Sequence, residues 1–273
     1  VASYADLHLH TNRSDGSDAP PRVVERAAAL GIGAIAITDH DTAAGVEEAA
    51  LAAAAAGVGF LRGVEISAVH ERRELHIVGL GIDSACGALL SRLSHSQDAR
   101  LDRARAIVAK LAGIGIAIDL DSVLARVEGN AVGRMHVAAE LTALGITRRT
   151  QAAFDRYLNH GCPAYVPKEL MPAETAVAAI HEAGGLAFVA HPGLGKGIRK
   201  LLPHLLTLPF DGIEAYHISH NPGRIAEFEQ LAKDRGLLVS GGSDCHGAIK
   251  GPPEMGKVRM PLAYYERIRE RLA

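Results

Sequence analysis

The chain has 273 residues, 48% of them hydrophobic, and a formal net charge of -2. That length accommodates one large α/β domain or two small ones, and the charge argues against a broadly basic nucleic-acid surface. Trp is absent and aromatics make up 4%, so aliphatic side chains must fill the core. The cysteines Cys86, Cys162 and Cys245 form no CxxC pair, which leaves no disulfide framework or zinc ribbon to expect. Reduced thiols in a cytoplasmic protein are the expectation. Nothing at the start reads as a signal peptide, and no apolar run reaches about 18 residues, so no membrane span is expected.

In chain order, a short strand is predicted over 4–10. Pro20 and Pro21 then open a helix to residue 30 that Gly31 stops. An apolar strand follows over 33–38 and an Ala-rich helix over 44–56. Further strands are predicted over 59–66, 74–80, 186–190, 212–216 and 237–240. This alternation predicts a parallel sheet or a βα barrel. It lapses over 86–171, which reads as several helices without a strand. The expected organisation is one domain from 1–85 and 172–273, with 86–171 inserted as a helical cap.

Chemistry-bearing side chains collect at the predicted strand ends: His8, His10, Asp15, His40, Glu65, His76, His191, Asp244 and His246. Neutral imidazoles mixed with carboxylates hold first-row divalent metals. Nine such groups exceed the needs of one tetrahedral ion, so a multinuclear hydrolytic site is expected. Residues two apart on a strand share a face, which lets His8 and His10 reach one ion while Leu9 points into packing. Each group alone has an ordinary explanation: Asp39 or Asp41 as a helix cap, Asp15 as a turn residue. One shared site accounts for all of them together. In βα barrels, active sites assemble where these groups lie, at the carboxyl ends of strands. Cys245 lies between two candidate ligands, and strand alternation turns it away from them. The stretch Gly193-Leu194-Gly195-Lys196-Gly197 lacks the spacing of a phosphate-binding P-loop.

The segments DLHLHTNRSDGSD, ITDHDT, GVEIS, HIVG, AHPG and GSDCHG resemble, in order, the motifs of the PHP (polymerase and histidinol phosphatase) superfamily. The resemblance implies a distorted (β/α)7 barrel with two or three metal ions. It would place His8, His10, Glu65 and Asp244 on one ion, with Glu65 bridging to a second held by His76 and His191. Asp15, His40 and His246 would hold a third. The inserted helices and the wording HTNRSDGSDAPPRVVERAAALG look like the TrpH or RNase AM group. That group removes 5′-terminal nucleotides from short RNAs and the 3′-phosphate from 3′,5′-nucleotide bisphosphates.

The resemblance thus implies a metal-dependent phosphoesterase acting on a nucleotide bisphosphate or a short 5′-phosphorylated RNA, with a metal-bridging hydroxide as nucleophile. Mixed N/O ligation favours Mn²⁺, Fe²⁺ or Zn²⁺, and the family leans to Mn²⁺. His217, after the strand GIEAY, is a candidate proton donor. Arg134 and Lys168, with Arg13 as a third candidate, are expected to bind the phosphate that is not cleaved. Two other readings compete: a phosphomonoesterase of the histidinol-phosphate type, and a non-catalytic metal-binding module that scaffolds a partner. The residues name no protein partner.

Overall fold

The structure, a computed structural model, describes residues 4–127, 132–194, 197–248 and 253–273. Gly195 and Lys196 of the glycine-rich stretch lie outside the described residues. In chain order the elements begin with β1 (Tyr4–Leu9), α1 (Pro20–Ala29), β2 (Ala34–Ile37), α2 (Val46–Ala56), β3 (Gly59–His70) and β4 (Arg73–Leu80). Next come α3 (Gly87–Gly113), α4 (Leu120–Leu124), α5 (Arg134–Ala143) and α6 (Thr150–Ala153), the last running into a π-helical turn over Phe154–Leu158. The chain ends with β5 (Met171–Pro172), α7 (Ala173–Glu182), β6 (Leu186–Val189), α8 (Ile198–Leu205), β7 (Gly212–His217), α9 (Pro222–Arg235), β8 (Leu238–Gly242), β9 (Met260–Pro261) and α10 (Leu262–Leu272).

These elements form two compact units, Val1–Leu93 with Leu170–Ala273, and Ser94–Glu169. The second unit is helical, with no strand among its described residues, and has an apolar cluster of its own around Ile107, Leu111, Val123, Val137, Leu141 and Leu158. No helix among the described residues is long and apolar enough to cross a membrane.

In the first unit local chemistry sets the element ends. Pro20 starts α1, whose Val23, Val24 and Ala27 make one buried stripe, and Gly31 at φ 72 leaves the helix in the left-handed conformation. All four residues of β2 are buried, as expected of a strand covered on both faces. The sheet order is β8-β7-β6-β4-β3-β2-β1-β9, with β5 beside β3.

Of the strands that the alternation predicts, β4 departs from the parallel arrangement. β4 runs antiparallel to both β3 and β6. The cause is local: β3 and β4 are joined by Glu71 and Arg72, at φ 46 and 63. Two successive positive φ values match the twist of a tight two-residue hairpin, and a hairpin can only return the chain antiparallel. Pairing with β4 also carries β3 out to His70, past the expected end at residue 66. The reversal matters for the site, because the start of β4, with His76, then lies at the same rim as the ends of the parallel strands.

The sheet closes on itself beyond β8. Asp244 N donates to His8 O at 3.0 Å, and His10 N donates to Cys245 O at 3.1 Å. The result is a nearly closed barrel of seven longer strands, the distorted α/β barrel implied by the motifs. At this seam a Cβ on Gly242 would sit 2.4 Å from both the backbone nitrogen and Cβ of His8. We therefore expect Gly242→Ala to lower stability by about 1–3 kcal/mol. A denaturant midpoint equal to that of the wild type would refute this.

Candidate metal centre

Strand ends deliver the nine candidate side chains to one rim. His8 and His10 come from β1 and its extension, Glu65 from β3, and His76 from β4. His40 follows β2 and forms a parallel bridge with Glu65, while His191 follows β6. Asp244 and His246 follow β8, and Asp15 comes from the turn after β1.

Glu65 is fully buried at the hub. Its Oε1 lies 2.9 Å from His76 Nδ1 and 3.0 Å from His191 Nε2. Its Oε2 lies 3.0 Å from His40 Nδ1, 3.3 Å from His10 Nε2 and 3.4 Å from His8 Nε2. Asp244 Oδ1 approaches His10 Nε2 at 3.0 Å, and Asp15 Oδ1 approaches His246 Nε2 at 3.2 Å.

Most of these approaches are not hydrogen bonds. Among the described residues, His8 Nε2, both ring nitrogens of His10, His76 Nδ1, His246 Nε2 and Glu65 Oε2 are buried and have no hydrogen-bond partner. Buried polar atoms without partners are destabilising unless something else satisfies them. A divalent cation does so. Donor atoms about 2.1 Å from one ion stand about 3.0–3.4 Å apart at octahedral to tetrahedral angles. Three sets of donor atoms each lie within 4.8 Å of one another: His8, His10, Glu65 and Asp244; His40, Glu65 and His76; and His10, Asp15, His40 and His246. The residues present therefore fit a divalent metal.

The electrostatics suit cations as well. Burial alone would raise the Glu65 carboxyl, but His40, His76 and His8 hold it well below the usual carboxylate range. Asp15 and Asp244 are likewise held low against burial by the neighbouring imidazoles. Burial, reinforced by His246 and His40, pushes His10 down to about 3, so its ring is neutral and free to ligate.

Three buried carboxylates that are not among the nine candidate ligands hold this rim in place. Glu214 Oε1 lies 2.9 Å from His8 Nδ1, and its Oε2 accepts from His191 N at 2.6 Å. A carboxylate on the far nitrogen fixes the tautomer and orientation of a ligating imidazole. Asp39 accepts from Thr11 N and Oγ1, both at 2.7 Å, and from Ser14 Oγ at 2.6 Å, bracing the turn that carries Asp15. Asp6 accepts from Ser243 N at 2.8 Å and Oγ at 2.7 Å, which ties β1 to the segment bearing Asp244. Burial raises Asp39 and Asp6 to about 6 in each case, against the hydrogen bonds they accept. A charged residue inside an otherwise apolar strand, as in YADLHL or GIEAY, is the signal that marks Asp6 and Glu214. The backbone is strained at the same rim, with Asp41, His191 and Asp244 at φ 52, 27 and 54. Such conformations persist where surrounding structure over-determines them, characteristically at functional sites.

His217 also reaches the rim. A register irregularity in β7 lies between Glu214 and Tyr216, and His217 Nε2 is buried 3.5 Å from Asp244 Oδ2. Cys245 turns the other way, into the apolar cluster with Leu9 and Ile37. Arg13 pairs with Glu48 at 2.8 Å. Arg134 and Lys168 belong to the second unit, where the Arg134 guanidinium lies 5.5 Å from the Phe154 ring centre and donates to Leu158 O at 3.2 Å.

The PHP domain family matches residues 6–159. This chain belongs to the PHP family. It is 39% identical to a 3′,5′-nucleoside bisphosphate phosphatase of Chromobacterium violaceum, over 92% of this chain and 90% of that one. It is 38% identical to a 5′-3′ exoribonuclease of Haemophilus influenzae, over 92% and 93%. A solved structure from Bifidobacterium adolescentis, assigned as a metal-dependent phosphoesterase, superposes with a TM-score of 0.85 at 31% identity, covering 97% of this chain and 95% of that one. The PHP resemblance carried by the motifs is thereby borne out, and so is the barrel.

Cations that bind only the folded state must stabilise it. At a free Mn²⁺ concentration of about 100 times Kd, one occupied site adds about 2.7 kcal/mol. For a domain of this size that is a rise of roughly 5–10 °C in Tm. We expect the chelator-treated protein to show this rise on adding Mn²⁺ and Glu65→Gln to lose most of it. Identical melting curves with and without Mn²⁺ would refute metal binding at this rim.

Proposed function

We propose that this chain is a metal-dependent phosphoesterase that removes the 3′-phosphate from 3′,5′-nucleotide bisphosphates, releasing the nucleoside 5′-monophosphate, and trims short RNAs from a 5′-phosphorylated end. The observation that carries the reading is the buried Glu65 carboxylate ringed by five imidazoles, of which His8, His10 and His76 turn toward it buried nitrogens that have no hydrogen-bond partner. Two relatives at 38–39% identity, one a 3′,5′-nucleoside bisphosphate phosphatase and the other a 5′-3′ exoribonuclease, support it.

In this reading His8, His10, Glu65 and Asp244 form one cation site, Glu65, His76 and His191 a second, and Asp15, His40 and His246 a third. Divalent ions there, Mn²⁺ by preference, would lower the pKa of water toward neutrality and offset the charge of the phosphate oxygens. The chain's own residues do the rest. Glu214 orients His8 and holds the backbone of His191. Ser219 N donates to His217 Nδ1 at 3.1 Å, so in the neutral ring the proton sits on Nε2, the nitrogen facing Asp244. In this reading that N–H, buried beside Asp244, would protonate the leaving oxygen. Once the ring is doubly protonated, Ser219 Oγ at 2.8 Å accepts from Nδ1 and Nε2 can give up its proton. Arg134 and Lys168, both from the helical unit, are the candidates for the retained phosphate, with Arg13 a lesser contributor. The three cysteines are free thiols, in keeping with a cytoplasmic setting.

Mn²⁺-loaded protein should release phosphate and AMP from adenosine 3′,5′-bisphosphate, with metal content measured on the same sample. His217→Asn should reduce kcat on that substrate by roughly 100-fold or more. On p-nitrophenyl phosphate, whose leaving group needs no proton, the loss should be much smaller. Equal losses on both would remove the acid role. Separately, Arg134→Ala should raise KM strongly for the bisphosphate and little for the aryl ester; a parallel rise would show that Arg134 serves only the fold of its own unit.

A further inference from the structure

Beside the metal centre lies a cleft of about 440 Å³ whose walls include His76 and His191. That volume suits one nucleotide-sized ligand. On its other sides stand Arg72 and Arg73 from the β3–β4 hairpin and Leu194 and Ile198 from the segment entering α8. Among the described residues lining it, Glu74 is the one carboxylate against Arg72 and Arg73, so these side chains give the cleft a net positive charge on a chain whose formal charge is -2.

The cleft is built rather than incidental. Arg72 is held at φ 63 by the tight turn, and its neighbour Glu71 is tied to α8 through His204 Nδ1 at 3.1 Å. Gly197, at φ 116, precedes α8, and a Cβ there would sit 2.6 Å from the Arg73 guanidinium. A glycine at that point therefore lets Arg73 lie against the backbone. Leu194 is 46% exposed, an apolar side chain left facing solvent beside two guanidinium groups. Apolar surface flanked by arginines is what a nucleoside with a phosphate requires: the base lies on the aliphatic side chains and the phosphate meets the guanidinium.

We propose that this cleft is the subsite for the second nucleotide of an RNA substrate, which stays esterified to the attacked phosphate when the P–O3′ bond breaks and the 5′-terminal nucleotide departs, with Arg72 and Arg73 holding the next phosphate along the chain and Leu194 and Ile198 the base. The inference rests on the phosphoesterase reading above, in which the retained 5′-phosphate goes elsewhere. A 3′,5′-bisphosphate has no second nucleotide and leaves such a cleft empty, whereas an RNA end fills it. Aliphatic contacts distinguish bases poorly, which suits an enzyme that must accept each successive nucleotide whatever its base.

The test compares adenosine 3′,5′-bisphosphate with the 5′-phosphorylated trinucleotide pApApA, using wild type, Arg72→Ala and Leu194→Asp. Both positions are exposed, so folding should survive, and a thermal melt checks it. The expected result is a loss of kcat/KM on pApApA at least tenfold greater than on the bisphosphate for either variant. Binding of fluorescent pApApA to the chelator-treated protein gives a readout independent of turnover. Losing one phosphate contact should reduce the slope of log K against log salt by about 0.7 in Arg72→Ala. Equal losses on the two substrates, or an unchanged salt slope, would overturn the subsite while leaving the phosphoesterase reading intact. Wild-type protein that dephosphorylates the bisphosphate but leaves pApApA whole would overturn the RNA half of that reading and the subsite with it.

Discussion

The rim of this barrel is organised around the carboxylate of Glu65. A fully buried carboxylate surrounded by imidazoles from four other segments is an expensive thing for a fold to assemble. Removing the charge from water costs several kcal/mol unless it is well compensated. Five ring nitrogens approach its two oxygens at 2.9–3.4 Å; His191 Nε2 hydrogen-bonds to Oε1, whereas the nitrogens that His8, His10 and His76 turn toward it have no hydrogen-bond partner. The spacing is that of donors sharing cations rather than of N–H groups meeting acceptors. Charge balance points the same way, because the carboxylates are held ionised and His10 is held neutral.

Such a cluster needs rigid support, and the fold supplies it from behind. Glu214, Asp39 and Asp6 each accept hydrogen bonds from the segment that carries a candidate ligand. None of them points its charge into the cluster as a ligand would. They fix where the imidazoles and the turn stand, and the strained backbones at Asp41, His191 and Asp244 show that these positions are over-determined by their surroundings. The antiparallel β4 belongs to the same arrangement. Without its reversal, His76 would leave the strand at the opposite end of the barrel from Glu65.

Short-range chemistry made much of the fold legible. Pro20 and Gly31 mark α1, the run AIAI marks β2, and HxH and DxH spacings mark side chains that share a face. What escaped the reading has a common cause. The β4 direction hangs on a turn without glycine, Glu71-Arg72, where nothing in residue type advertises two positive φ values. Glu214 looks like any charged residue in a strand until its partners, His8 and His191, arrive from 206 and 23 positions away. The irregularity in β7 just before His217 leaves no mark in a pattern of period two.

By itself, then, the sequence determined the inventory: which donors exist, that they stand at strand ends, and that thiolate is not among them. Those are properties of residue type and local periodicity, which neighbours along the chain suffice to specify. Only the tertiary structure decided which donors face a common centre, which carboxylates stand behind them, and that a cleft edged by Arg72 and Leu194 opens beside His76 and His191. Those depend on strand pairing and barrel closure between residues more than two hundred positions apart, as where Asp244 meets His8, and no local pattern encodes a contact of that range.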